Sequence, residues 1–433
     1  MKKTKLSSKF WLALTIFSLV GQVAWVVENM YFNVFIYNMF NARAEQISMM
    51  VSASAISATV TTILIGALSD KLGKRKLFIC SGYILWGISI WSFSLIRTDI
   101  INKLFPMTIS AATIGVSLVI IMDCVMTFFG SAANDACFNA WLTDVTDDTN
   151  RGAAEGINSM MPLVAILVVF GGCMGFDLNQ AKSWTTIYTI IGVVVFLLGI
   201  LAIFLVQDVP VDTSKNQNYF GNIFYGFRPS VIKNNKLFYI ILAAYATFCI
   251  SIQIFMPYLI LYYNVSLKMD NYVLIMAPAV IVAAIVTAFY GRVYDRFHFK
   301  VAVMPAIGTL MLGYVLLYLF KTTALVFVGS LFMMSGYLMG MAVFGAMLRD
   351  YTPQNRAGMF QGLRIVGQVL IPGIVGPWIG AMVLRNAEQV LNDDGTYSFI
   401  PNASIFLAAF LAACFIWLIL GVVFKLTKKA KED

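Results

Sequence analysis

Apolar residues dominate this chain in twelve long runs that short polar segments separate. The runs lie near residues 10–40, 47–69, 77–96, 108–143, 153–176, 184–206, 237–263, 271–292, 300–320, 324–348, 357–384 and 402–425. A helix needs about 20 apolar residues to cross a bilayer, and every run reaches that length. Only helices and closed barrels satisfy their backbone in lipid, and barrel strands are much shorter. The pattern therefore predicts an all-α membrane protein with twelve transmembrane helices.

Composition and charge agree with this class. The chain has 433 residues, of which 60% are apolar and 12% charged, and its net charge is +9. Such a composition lies outside the soluble globular range. If the amino terminus is cytoplasmic, 22 of the 30 Lys and Arg residues fall in inner segments, as the positive-inside rule requires. We therefore expect a multi-pass protein of the cell membrane with both termini cytoplasmic, and the positive charge needs no nucleic-acid partner.

The reactive side chains argue against an enzyme. All six cysteines fall in the apolar runs at irregular spacing, which is neither a disulfide framework nor a metal-ligand pattern. The single histidine, His298, lies in a predicted inner turn, so imidazole chemistry within the membrane is excluded. We expect no catalytic residues, no metal and no cofactor.

Two polar turns show that the chain is duplicated. The segment from Gly66 to Lys76, with Asp70 and a cluster of bases, is echoed 225 positions later between Gly291 and Lys300. A second pair of anchors runs from Asp144 through Arg151 to Gly156 and from Asp350 through Arg356 to Gly362, with twelve positions from Asp to Gly in both. The repeats predict an amino-terminal six-helix bundle at 1–206, a cytoplasmic linker at 207–236 and a carboxy-terminal six-helix bundle at 237–433.

These turns resemble the signature of the major facilitator superfamily. The resemblance implies two parallel, pseudo-symmetric six-helix bundles that work by alternating access, with the substrate bound near mid-membrane. The segments Gly66-Ala67-Leu68-Ser69-Asp70 and Gly82-Tyr83-Ile84-Leu85-Trp86-Gly87 are also similar, more weakly, to the branch with sucrose/proton and glycoside/cation symporters. The paired acids of the melibiose-type carriers are missing, because residues 48–65 contain no acid.

The same resemblance assigns the two turns to an inner gate. In the family, the Gly lets the second helix approach the eleventh, the Asp caps the opposing helix, where its dipole favours an anion, and the bases pair with an acid that ends the fourth helix. Carried over, the gate comprises Gly66, Asp70, Lys71, Arg75, Asp144 and Arg151 in the first half, and Gly291, Asp295, Arg296, Asp350 and Arg356 in the second. Lys71 stands where Arg is usual, which gives a point charge in place of a planar fork.

Polar side chains deep inside apolar runs are the candidates for substrate binding and ion coupling, because they are expensive in a membrane and usually functional. They are Gln22, Trp25, Glu28, Asn29 and Asn33 in the first run, Asp123, Asn134 and Asp135 in the fourth, Gln253 and Tyr258 in the seventh, and Gln361, Arg364 and Gln368 in the eleventh. At 100° per residue, Gln22, Trp25, Asn29 and Asn33 form one stripe, and Glu28 points about 120° away from it. The alternative is that these groups satisfy one another between packed helices.

Arg364 is the only base that we place within a predicted span. It needs an acid partner, a bound anion or water. By the helical rise, Asp135 lies at a similar depth, whereas Asp123 and Glu28 lie more than about 10 Å further out. The sequence therefore predicts an Arg364–Asp135 pair, and an anionic substrate at Arg364 if that pair is absent.

We interpret the chain as a secondary active transporter, a proton-coupled symporter of a sugar or glycoside. Amides and aromatic rings suit sugar hydroxyls and sugar faces, and burial disfavours a charged carboxylate, which makes Glu28, Asp123 or Asp135 a candidate proton carrier. The expected partners are a small-molecule substrate, protons and the lipid bilayer, and the expected state is a monomer. Two alternatives remain open, an efflux antiporter of drugs or amphipathic metabolites and a transporter-like membrane sensor.

Overall fold

Twelve membrane-spanning helices form the described part of the protein. The computed structural model describes residues 6–105, 110–147, 150–208, 225–269, 271–352, 362–392 and 397–432. Within them, spans 1 to 6 cover Ser8–Phe40, Ala44–Leu72, Arg75–Leu95, Ala111–Val145, Gly156–Cys173 and Ala181–Leu205. Spans 7 to 12 cover Lys236–Ser266, Val273–Tyr290, Phe299–Leu319, Thr323–Asp350, Gly362–Leu384 and Ser404–Thr427. The predicted all-α membrane fold with twelve transmembrane helices is confirmed.

Short elements connect the spans. Span 3 ends in a 3-10 turn at Phe93–Leu95, and a helix at Thr98–Leu104 follows it. A 3-10 turn at Tyr225–Phe227 and a helix at Pro229–Asn234 precede span 7. Between spans 11 and 12, strands Gln389–Leu391 and Tyr397–Phe399 pair antiparallel, with Gln389 opposite Phe399.

Local signals fix the ends of several spans. The Ser7 side chain accepts a hydrogen bond from Phe10 N at the start of span 1, and Ser110 does the same for Thr113 N at the start of span 4. Such caps satisfy backbone donors that have no partner inside the helix. Span 1 ends at Asn41, which adopts the left-handed conformation at φ 50°, a frequent helix stop.

The first compact unit contains Met1–Ala42 and Ala53–Ile223. Spans 3 and 6 pack in it at backbone distance, since a Cβ added at Gly87 would lie 2.4 Å from Phe196 N. Small residues of this kind let membrane helices gain van der Waals contact. A cluster of rings fills one end, where Phe35 and Phe93 contact Tyr188 with centroids 5.1 and 5.5 Å apart.

The second compact unit contains Arg43–Ser52 and Phe224–Asp433. The start of span 2 thus belongs to this unit, and Ser48 donates to the Pro377 carbonyl at 2.7 Å. Pro377 has no N–H for the carbonyl of Gly373, four residues earlier, and the Ser52 hydroxyl donates to that carbonyl at 3.3 Å. The proline in span 11 therefore frees a backbone acceptor that a side chain of span 2 fills.

Spans 8 and 9 are joined without a break in the helix, which runs from Val273 to Leu319. The Tyr290 hydroxyl nevertheless donates to the Ala302 carbonyl at 2.7 Å. In a straight helix these residues would be separated by a rise of about 18 Å, beyond the reach of a tyrosine. The helical run must therefore bend back between them, which agrees with two antiparallel spans.

Wide turns interrupt four of the spans. The π-helical segments are Val27–Tyr31 in span 1, Ser131–Phe138 in span 4, Tyr262–Ser266 in span 7 and Val366–Leu370 in span 11. These four spans contain every candidate substrate residue that the structure describes. A π segment bonds residue i to i+5 and is frequent at functional sites, so it changes which side chains share a helix face.

Candidate functional site

A buried carboxyl lies at the centre of the first unit. Glu28 sits in the π segment of span 1 and is 7% exposed. Its Oε1 atom accepts hydrogen bonds from the hydroxyls of Ser54 in span 2 and Thr127 in span 4. The two hydroxyl oxygens are themselves 2.9 Å apart and hydrogen bonded. Three spans therefore meet at one carboxyl oxygen.

The oxygens Glu28 Oε1, Ser54 Oγ and Thr127 Oγ1 form a triangle in which each lies within hydrogen-bond distance of the other two. The two hydroxyls have one hydrogen each and both can donate to the carboxyl oxygen. No salt bridge in the described part of the chain neutralises Glu28.

Asp123 provides a second carboxyl beside the triangle. It is 1% exposed and precedes Thr127 by four residues, so the two side chains are neighbours on one helix face. Glu28 Oε2 and Asp123 Oδ1 are buried without a hydrogen-bond partner in the described part of the chain, and neither residue forms a salt bridge there. An unpaired charge is costly in such a place, so these two carboxyls are the strongest candidates for a functional role in the first unit.

Trp25 and Asp135 form a more open polar pair in the same unit. Asp135 is half-buried, accepts from Ser131 Oγ at 3.0 Å and lies beside the Trp25 indole. The buried Trp25 N–H faces this carboxyl, and the Trp25 ring packs on Trp86 with centroids 5.0 Å apart. A hydroxylated ligand would have to replace the contact between the indole and the carboxyl.

The predicted stripe of span 1 is wrong in detail. Gln22 and Trp25 are half-buried and Asn29 is exposed, whereas Asn33 is 0% exposed. The π segment Val27–Tyr31 lies between Trp25 and Asn33 and contains Asn29, and its i→i+5 bonds change the angle between successive side chains. Glu28 therefore points into the bundle and Asn29 out of it.

Asn134 is a packing residue. Its Nδ2 atom donates to the Tyr83 hydroxyl at 2.6 Å, and the residue is 3% exposed. A Cβ added at Gly21 would lie 2.3 Å from this Nδ2 atom, so the glycine provides the space that the amide fills. For Asn134, the structure therefore favours the alternative reading of the sequence, in which a buried polar side chain forms hydrogen bonds to a neighbouring helix.

Two candidates of span 7 also serve packing. Tyr258 is 0% exposed, and its hydroxyl bonds to Ser48 Oγ at 2.8 Å and to the Pro377 carbonyl at 3.3 Å. Gln253 is half-buried against Gly376, where an added Cβ would lie 2.5 Å from Gln253 Cβ. We therefore assign Tyr258 to helix packing and not to substrate binding.

Arg364 in span 11 is half-buried in the second unit. Its Nε atom donates to Gln368 Oε1 at 3.3 Å, one turn along the helix. The Arg364 side chain also interacts with the Tyr245 hydroxyl of span 7. It forms no salt bridge within the described residues. Gln361 lies outside those residues, and the pairing of Arg364 with Asp135, which belong to different units, stays a prediction.

Arg75 is the centre of the first gate turn. Its side chain is 6% exposed and lies between two acids, with Nε 3.1 Å from Asp144 Oδ2 and Nη2 bonded to Asp70 Oδ1. Nη1 donates to Ser69 Oγ. The guanidinium is therefore satisfied on all sides, and the Asp144 partner is the one that the sequence predicted. Lys71 is exposed.

The described residues do not test the close helix contact that the family pattern implies for Gly66. A Cβ at this position would meet only Ala136 Cβ, at 3.9 Å, among the described residues. The expected partner was the eleventh helix, whose inner end falls at residues 353–361, outside the described chain. Asp70 has its described partner, Arg75, in its own unit.

The second gate turn differs from the first. Asp350 accepts a hydrogen bond from the Tyr294 hydroxyl, and the exposed Arg296 guanidinium lies 5.2 Å from the centre of the Phe297 ring. No salt bridge joins these groups in the described part of the chain. Arg356, the side chains of Arg151 and Asp295, and the surroundings of Gly291 lie outside the described part of the chain. The gate roles of both turns stay predictions.

Sequence reasoning missed three residues of these clusters. Ser54 and Tyr83 are polar residues in helices rich in small and apolar side chains, and Tyr245 is one of many aromatic residues in span 7. None carries a charge that would stand out in a span. A search for hydroxyls at the depth of each buried acid would have found Ser54.

Comparisons with known proteins identify the family of this chain. The family model of the major facilitator superfamily matches residues 10–377. The chain belongs to this superfamily of transporters. A comparison with curated proteins finds no significant sequence match.

Solved structures of similar fold are transporters. A mutant of the nucleoside transporter NupG superposes with a TM-score of 0.73 at 13% identity, over 95% of this chain and 99% of that one. A bacterial homologue of the human lysosomal transporter Spinster gives 0.70 at 15%, over 97% of both chains. The xylose transporter XylE from E. coli gives 0.65 at 14%, over 95% and 98%. At these identities the likeness shows the fold alone.

Proposed function

We propose that this protein is a proton-coupled symporter that imports a sugar or glycoside by alternating access. The observation that supports proton coupling is the buried carboxyl of Glu28, which is bonded to two neutral hydroxyls and forms no salt bridge among the described residues. Asp123, one turn from Thr127, is a second buried acceptor for protons. Two neighbouring carboxyls of this kind can exchange a proton when the site opens to water, because hydration then favours the charged form.

The polar groups of the first unit support a sugar as the substrate. Trp25 offers an aromatic face and an indole N–H, and Asp135 beside it offers carboxyl oxygens. A sugar that replaces the contact between them finds a donor and acceptors, and sugar hydroxyls require both. Solved structures with the same fold include a D-xylose-proton symporter, with a TM-score of 0.65 at 13% identity over 94% of this chain and 97% of that one, which is consistent with this chemistry.

Transport assays in proteoliposomes test whether sugar uptake is coupled to protons through Glu28. With an inward proton gradient, the parent protein should accumulate a sugar that it binds. Glu28→Gln keeps the size of the side chain but cannot release a proton, so it should catalyse exchange of labelled for unlabelled sugar and fail to accumulate it. Glu45→Gln, at the start of span 2 and outside the cluster, is the matched control and should accumulate sugar normally.

A thermal-shift panel of neutral sugars, nucleosides, amino acids and lipophilic cations tests the substrate class. Stabilisation by a sugar or glycoside supports the proposal. Stabilisation by lipophilic cations alone would replace it with the efflux antiporter, and gradient-driven accumulation by Glu28→Gln would remove Glu28 from the coupling mechanism.

A further inference from the structure

Arg364 carries a charge that its surroundings do not neutralise. The guanidinium is half-buried in span 11, and no described acid forms a salt bridge with it. Its neighbours Tyr245, Cys249 and Gln368 are all uncharged residues. A membrane protein retains such a charge at a cost, and buried bases of this kind commonly mark a ligand or ion path.

The neighbours of Arg364 offer more hydrogen-bond donors than acceptors. Gln368 Oε1 already accepts from Arg364 Nε at 3.3 Å, so the amide nitrogen remains as a donor. The Tyr245 hydroxyl donates to Met341 Sδ at 3.5 Å, a weak acceptor that an oxyanion can replace, and the Tyr245 ring packs on Phe344 with centroids 5.5 Å apart and planes at 13°. A guanidinium, an amide N–H₂ and a phenol O–H together match an oxyanion, which only accepts.

There is also room next to the guanidinium. A Cβ added at Gly345 of span 10 would have Arg364 Nη2 as its only described neighbour within 4 Å, at 3.9 Å. The glycine therefore leaves one side of the guanidinium uncovered by described side chains. By the helical rise, Gly345 lies about 7.5 Å from the end of span 10 at Asp350, and Tyr245 about 13.5 Å from the start of span 7 at Lys236. The space is inside the helical region.

We infer that Arg364, Tyr245 and Gln368 bind an oxyanion of the transported substrate, so that the sugar carries a carboxylate or a phosphate group. This oxyanion site rests on the proposed sugar transport, because it specifies the substrate of that function. The planar fork of Arg364 can bind either group through two hydrogen bonds. A neutral sugar would leave the guanidinium without a counter-charge and should bind more weakly than its acidic counterpart.

Binding to the purified protein tests the site without transport. Glucuronate, glucose 6-phosphate and glucose are compared by thermal shift and calorimetry at constant ionic strength. We expect one of the two anionic sugars to bind at least about tenfold more tightly than glucose, the size of effect that a charge-assisted pair provides. The more effective anion identifies carboxylate or phosphate as the ligand group.

Variants connect the preference to the site. Arg364→Gln should remove the preference for the anionic sugar, Arg364→Lys should keep part of it, and Tyr245→Phe should reduce it while the ring remains packed. Arg349→Gln removes an exposed base of span 10 and should leave the preference unchanged.

Two results separate the failure of this site from the failure of the proposed function. If glucose and the acidic sugars bind equally, or if Arg364→Gln retains the preference, the oxyanion site is wrong and sugar transport stands. If no sugar of any charge binds but another class of compound in the wider panel does, the proposed function is wrong and the oxyanion site falls with it. The comparison of sugars on the parent protein needs no variant, and Arg364→Lys and Tyr245→Phe test the site if Arg364→Gln is not folded and monodisperse in detergent.

Discussion

The Arg75 cluster gives the sharpest stability prediction. Its guanidinium is 6% exposed, whereas the side chains of Asp144 and Asp70 are 24% and 43% exposed. Asp144→Asn replaces a charge-assisted hydrogen bond with a neutral one and should cost about 1–2 kcal/mol of unfolding free energy. Asp70→Asn acts on a more solvated acid, and exposed pairs contribute about 0.2–1 kcal/mol.

Removing both acids should cost more than the sum of the single changes. The double variant leaves a buried guanidinium without any anion, which typically costs about 3–5 kcal/mol. While one acid remains, it still neutralises Arg75, so each single substitution reduces the unfolding free energy only modestly. The two substitutions should therefore couple by more than about 1 kcal/mol, a strong interaction for neighbouring residues.

Reversible SDS titration of the four proteins in mixed micelles measures this coupling. Asp99→Asn is the matched control, because Asp99 pairs with Arg97 where both side chains are exposed, at 53% and 39%, and it should not change the titration measurably. Additive losses, or a double variant no less stable than Asp144→Asn, would refute the view that both acids hold one buried charge.

Three further predictions concern topology and packing. In a protein otherwise free of cysteine, Lys74→Cys should label only from the cytoplasm and Lys182→Cys only from outside in sealed cells. Labelling of both from one side would overturn the twelve-span topology, and the reversed pattern would overturn the orientation. Gly21→Ala should lower the melting temperature, because the new Cβ would lie 2.3 Å from Asn134 Nδ2, and an unchanged melt would show that the amide relaxes freely. Tyr258→Phe should reduce stability by about 1–3 kcal/mol through lost buried hydrogen bonds and leave the sugar dissociation constant unchanged in calorimetry, whereas weakened binding would return Tyr258 to the substrate site.

The spans could be read from the sequence because a lipid environment imposes a length and a composition on every helix. All twelve predicted runs correspond to observed spans. The pairing of Arg75 with Asp144 was also predicted, through the resemblance of the turn to the family signature, in which the bases pair with an acid that ends the fourth helix. These features depend on charge and length, which the sequence displays directly.

The orientation of individual side chains could not be read in the same way. A constant 100° per residue placed Asn29 and Asn33 on one face, but the π segment at Val27–Tyr31 separates them. A π turn contains one residue more than an α turn, and no residue type in that segment indicates that such a turn forms there. Ser54 was missed for a different reason, because its role arises only when spans 1, 2 and 4 bring three oxygens together.

Proton movement driven by substrate tests the central claim most directly. Proteoliposomes that contain a pH-sensitive dye are given a sugar that the protein binds, with no initial proton gradient and with the membrane potential clamped. The account predicts that the interior acidifies as sugar enters with protons through the parent protein, and that Glu28→Gln lets sugar equilibrate without acidification. Sugar entry without any change of interior pH in the parent protein, or acidification that persists in Glu28→Gln, would contradict proton coupling at Glu28.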